Sequence, residues 1–202
     1  MNQKIGIWSS LCNIFSVAMF ALSMLIGFPL GSYFASMFIA FSFVPMVCAL
    51  ACYSQPAAKA AGYAAMAFGA GYAVIILLVY FAQVTVVRLG GLTGEALQII
   101  DYTKFGLFFS YDLLGYGFMA LSTFFAGLTL QPATRRERGF KGLLMVHGVF
   151  FLSCLILPVL GLFTPEMQGA DWIGILVLEV WCAYFIPVGI LSFLFFKSRA
   201  QS

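Results

Sequence analysis

Asp112 and Glu179 are the two residues whose position demands an explanation. The chain carries 17 charged side chains. Fifteen of them sit in short polar breaks or at the ends of apolar runs, while Asp112 and Glu179 lie well inside long hydrophobic stretches. A carboxyl in hydrocarbon is costly, faces a bundle interior or a water-filled cavity, and marks a substrate, ion or proton site more often than a lipid contact. Around this pair, the sequence places further polar groups at a similar depth: Tyr80 and Gln83, three apart on one helical face, Tyr116 one turn from Asp112, and Arg88 at the end of its run. Asp112, Glu179, Tyr80, Gln83, Tyr116 and Arg88 are therefore the expected substrate- or ion-binding set. The ligand chemistry that fits is a small cationic or protonatable solute. The bland alternative is a hydrogen-bond network that locks helices together.

His147 is the only histidine. It lies in the opposite half of its run from the carboxyl level, so a mixed His–Asp–Glu metal site is a poor fit. Asn13 is at similar depth, and the two form an expected inner-half polar pair. A single histidine cannot supply both axial ligands of a bis-histidine haem. The five cysteines fall within or at the edges of apolar runs. Cys48 and Cys52 are four apart, which is neither a dithiol redox motif nor a zinc knuckle. There is no Gly-x-Ser-x-Gly elbow, no His-Glu-x-x-His and no phosphate-cradling glycine loop. No span contains a lysine for a Schiff base. No catalytic set, metal site or cofactor is read from these residues.

The elements that must hold the polar set follow from composition. Of 202 residues, 63% are hydrophobic and 8% charged, against about 25% charged in soluble domains. The bilayer is the solvent that suits this chain, and nucleic acid is excluded as a partner because the net charge is only +3. A hydrocarbon core needs about 20 apolar residues per helical span. Six stretches meet this: about 7–27, 33–53, 61–84, 106–130, 142–163 and 172–196. The runs are continuously apolar rather than alternating, so a β-barrel is excluded. The expected fold is all-α, a single polytopic domain of six transmembrane helices. The first run is too long for a signal sequence and is read as a retained helix.

Lys4, Lys59, Arg135, Arg136, Arg138, Lys141, Lys197 and Arg199 fall on one side of this arrangement, leaving only Arg88 and Lys104 on the other. That asymmetry predicts cytoplasmic termini and a plasma (inner) membrane location. Glu95, Asp101, Glu166 and Asp171 would share the outer side. Asp112 and Glu179 would then each sit about 9–11 Å below the outer ends of their helices, on spans three, four and six with the rest of the set. The long loop Leu89–Phe105 contains a short amphipathic stretch, Thr93–Tyr102, expected as a surface helix. Tyr102, Trp172 and Trp8 sit near span ends, as an aromatic belt would. Ala61, Ala65, Gly69 and Ala73 make a smooth stripe that suits close helix packing, within the bundle or toward a second subunit. Three functions compete: a small transporter or solute-binding membrane subunit, acting alone, as a homo-oligomer or with a partner subunit; a non-catalytic scaffold or accessory subunit; and a membrane-embedded lipid-modifying enzyme.

Overall fold

The structure is a computed structural model that describes residues 1–163 and 171–199. Glu166, expected in the loop before the last span, lies outside the described residues. The chain is about 85% helix, with no strand among the described residues. The long helices are α1 (Asn2–Leu25), α2 (Pro29–Ala51) and α3 (Lys59–Ala82), followed by a wider π-turn over Gln83–Val87. A short α4 (Gly94–Ile100) precedes α5 (Leu107–Thr129), then α6 (Arg135–His147), α7 (Phe150–Val159) and α8 (Asp171–Ser198).

The boundaries follow local chemistry. Between α1 and α2, Gly27 takes φ +64° and Phe28 N–H donates to Ser23 O at 2.8 Å. This closes α1 in a left-handed cap that favours glycine. Pro29 then opens α2, where its missing N–H costs nothing. The helices form a ring in which α1 packs on α2, α2 on α3, α3 on α5, α5 on α6 and α7, and α8 closes the circle against α6 and α1. Gln3 donates to Phe196 O at 3.1 Å, so the two termini share one end of the bundle.

Five helical segments are both long and apolar enough to cross a membrane: Asn2–Leu25, Pro29–Ala51, Pro56–Val87, Arg135–Val159 and Gly174–Ser198. The expected fourth span, α5, is missing from this set. Its 23 residues reach about 35 Å, but Asp112, Ser110, Ser122 and Thr123 dilute its apolar character. It packs between α3 on one side and α6 and α7 on the other. The small-residue stripe of α3 meets this same helix: Ser122 Oγ donates to Ala65 O at 2.7 Å, and a Cβ on Gly69 would come within 3.0 Å of Ser122 Oγ.

The expected fifth span also differs. It starts earlier, at Arg135, and is two helices joined through Gly148 and Val149. At that joint, Gly148, Val149, Phe151 and Leu152 each donate to the carbonyl three residues back, a locally tightened winding. Glu137 anchors the start of α6. Thr134 caps it by accepting from Glu137 N–H at 3.2 Å. The Glu137 carboxylate accepts from Ala133 N–H at 2.7 Å and from Arg199 Nη2 at 3.1 Å. Glu137→Ala leaves the Thr134 cap in place and should lower stability by about 2 kcal/mol, from the lost hydrogen bond to Ala133 N–H and the partly wet ion pair. Thermal unfolding in detergent measures it.

Candidate functional site

Asp112 is 3% exposed and turns inward from α5. Its Oδ1 is shielded and unpartnered. Tyr116, one turn along α5, and Tyr72 on α3 likewise bury hydroxyls that have no partner among the described residues. These groups belong together. Asp112 lies within electrostatic reach of Tyr33, Tyr72, Tyr80, Tyr102 and Tyr116. The Tyr80 hydroxyl neighbours both the Asp112 carboxyl and Ser36.

Helix periodicity explains the convergence. Tyr72, Ile76 and Tyr80 recur at intervals of four along the inward stripe of α3 and are 0%, 0% and 2% exposed. They face the Asp112–Tyr116 stripe of α5. The rings pack against each other. Tyr33 and Tyr80 centroids are 5.5 Å apart, Tyr80 and Tyr102 6.1 Å, Tyr33 and Tyr102 6.4 Å, and Tyr72 and Tyr116 5.9 Å. The result is a closed, oxygen-rich centre in an aromatic sleeve.

Gln83 does not point into this centre. It donates to Ile100 O at 2.9 Å and accepts from Tyr102 N–H at 3.1 Å. It thereby latches the loop carrying α4 onto the bundle end remote from the termini. The short helix expected within Thr93–Tyr102 is α4, and Tyr102 folds inward over Tyr33 and Tyr80 instead of joining an aromatic belt. Gly106 allows that fold: a Cβ there would lie 2.3 Å from Gln98 O.

Arg88 is exposed, and its Nε donates to Val84 O in its own turn at 3.0 Å, so it brings no cation to Asp112. Glu179 is half-buried on α8, with one unpartnered carboxyl oxygen. Its electrostatic neighbour is Cys182, not Asp112. The expected six-residue level on spans three, four and six is thus not assembled as one group. Asp112, Tyr80 and Tyr116 meet, while Gln83 is one step out and Arg88 and Glu179 stand apart. The third wall comes from α2, through Tyr33 and Ser36. Both follow closely on the Pro29 turn, and counting depth along α2 would have placed them at the same level.

His147 and Asn13 do not pair. Asn13 donates to Ser42 Oγ at 3.1 Å and to Ile39 O at 3.4 Å. His147, 1% exposed, sits between three helices. Its Nδ1 is 2.7 Å from Thr123 Oγ1 on α5, and Trp181 Nε1–H on α8 donates to its Nε2 at 3.1 Å. Because indole nitrogen only donates, Nε2 must accept, which assigns the Nδ1–H tautomer. Thr123 then accepts from Nδ1–H and donates to Ala120 O at 2.9 Å. Every polar atom of this knot is used, so it serves as a structural tie with no spare group for chemistry. The Tyr116 ring touches the Trp181 ring, 5.4 Å away, and links this tie to the Asp112 centre.

Comparison of the chain with protein-family models, with curated proteins and with solved structures finds no match. The candidate site rests on its own geometry.

Proposed function

We propose that the protein is a small multi-pass membrane protein that binds a small positively charged solute at the Asp112 centre, as a transporter or as a solute-binding subunit. The observation that carries this reading is the contrast between two buried polar groups. At His147 every donor and acceptor is satisfied within the bundle. Around Asp112, one carboxyl oxygen and the hydroxyls of Tyr72 and Tyr116 are buried without partners among the described residues, while the Tyr80 hydroxyl bridges the Asp112 carboxyl and Ser36. An unmet buried polar atom costs about 1–3 kcal/mol, and a network serving only to hold helices would be expected to close. A carboxylate with several neutral hydroxyl oxygens offers hard-oxygen coordination or hydrogen-bond acceptance to a small cation. The surrounding ring faces favour positive charge.

Six traversals with both termini cytoplasmic fit the lysine and arginine distribution and place this centre in the outer half of the bilayer. α5 crosses in this arrangement as the fourth span. Sodium and methylammonium are suitable probes, with N-methylglucamine as a bulky control cation. The thermal midpoint of the detergent-purified chain should rise saturably with one of the first two and not with the third. Glu179→Gln should leave that response unchanged, since Glu179 stands apart from Asp112. A flat response to both small cations would refute the proposal.

A further inference from the structure

A second site candidate lies at the opposite end of the bundle. Where α2, α5 and α8 end, Tyr53, Gln55, Leu130, Gln131, Phe195 and Arg199 enclose a cavity of about 270 Å³. Its charged lining group is Arg199. One fork nitrogen, Nη2, holds Glu137 at 3.1 Å, and the guanidinium lies over the Phe195 ring at 4.8 Å. Its Nε–H is buried and has no partner among the described residues. Phe195 is itself fixed edge-on against Tyr53, with centroids 5.7 Å apart, so the guanidinium is held in place by packing. Gln55 donates to Gln131 across the cavity mouth. Lys141 reaches over from α6 to Leu130 O at 3.0 Å and adds a second positive charge at the rim.

The setting is strongly basic. Arg135, Arg136, Arg138 and Lys141 follow within one short stretch, and Lys4, Lys59 and Lys197 lie at the same end, against Glu137 as the acidic residue of that stretch. A guanidinium lining a cavity beside the Gln55 and Gln131 amides and the Tyr53 phenol, with the Lys141 ammonium bonded to the lining residue Leu130, suits an oxyanion. Arginine binds phosphate through a planar fork of donors, with charge-assisted hydrogen bonds about twice as strong as neutral ones. The same end of the bundle would face the anionic leaflet, where basic residues attract lipid headgroups.

We propose that this cavity binds a phosphate group, with Arg199 Nε–H and Lys141 as the charged donors and the Gln55 and Gln131 amides as neutral ones. The phosphate comes from a phospholipid headgroup or from a soluble anion, and the test separates the two. The full chain in detergent is titrated with sodium phosphate against sodium chloride at equal ionic strength, read by thermal midpoint. In parallel it is titrated with short-chain phosphatidylglycerol, read by native mass spectrometry. Saturable binding of either ligand is expected. Binding of the lipid alone identifies a headgroup site, and binding of inorganic phosphate alone a soluble-anion site.

Gln131→Glu places a carboxylate in the cavity without touching the Arg199–Glu137 pair, and should weaken binding at least tenfold. Arg199→Lys keeps a cation for Glu137 but loses the fork, and should weaken binding several-fold. Glu137→Gln removes the competing anion and should strengthen it. Absence of saturable binding of both ligands to the native chain, or binding by Gln131→Glu equal to the native chain's, would overturn the proposal.

Discussion

Asp112→Asn should abolish cation binding and, in the same protein, raise the thermal midpoint. The two effects have one cause. The native carboxylate is 3% exposed and Oδ1 has no partner, so the folded protein carries an uncompensated polar group. Asparagine has nearly the same shape but removes the charge, and with it the desolvation cost that a buried carboxylate without an ionic partner carries. The ionic contact that a carboxylate oxygen makes by accepting from an ammonium or coordinating sodium, and that a neutral amide oxygen makes only weakly, is worth up to about 3 kcal/mol, or roughly a hundredfold in affinity. If the Asp112 centre only held α2, α3 and α5 together, the same variant would lose stability and have no ligand response to lose. The opposite signs make the experiment decisive between a binding site and a scaffold.

His147→Ala should have the largest cost to stability, about 4 kcal/mol. Removing a buried ring leaves a cavity at a cost of about 3–5 kcal/mol for aromatic-sized groups. It also strands the Trp181 N–H and the Thr123 hydroxyl inside the bundle, at about 1–3 kcal/mol for an unmet group. Partial collapse of the neighbouring Phe150, Tyr184 and Phe185 rings, whose centroids lie 5.1–5.8 Å from the imidazole, offsets some of this. Cation binding should survive in whatever fraction remains folded, because His147 belongs to the tie and not to the Asp112 centre. Unfolding monitored by tryptophan fluorescence reads the effect, with Trp181 as one of the three reporters. A loss below about 1 kcal/mol would mean that the three-helix tie carries little of the stability.

The all-helical bundle and most of its spans were legible because hydropathy over about 20 residues reports directly on burial in lipid. The exception is α5, long enough to cross but diluted by Ser110, Asp112, Ser122 and Thr123. Asp112 was legible for the same reason in reverse, since a lone carboxylate in an apolar run stands out. Glu179 stood out equally and matched Asp112 in depth. Depth is one coordinate, however, and α8 closes the ring chiefly against α1 and α6, not against α5. Arg88 near a helix end was free to turn outward, as long cationic side chains do. Tyr33, Ser36 and Tyr72 were not legible because neither charge nor spacing along the chain ties them to Asp112. Only the ring order of the helices brings them beside Asp112. The His147 tie was out of reach for a related reason: its partners Thr123 and Trp181 are 24 and 34 residues away, and nothing in their local patterns singles them out.

The most direct measurement is an infrared difference spectrum of the purified protein with and without saturating sodium or methylammonium. A change in carboxylate stretching that is present in the native protein, retained in Glu179→Gln and absent in Asp112→Asn is the expected result. A cation-induced carboxylate change that persists unaltered in Asp112→Asn, or no carboxylate change at all, would contradict the assignment of Asp112 as the cation-binding group.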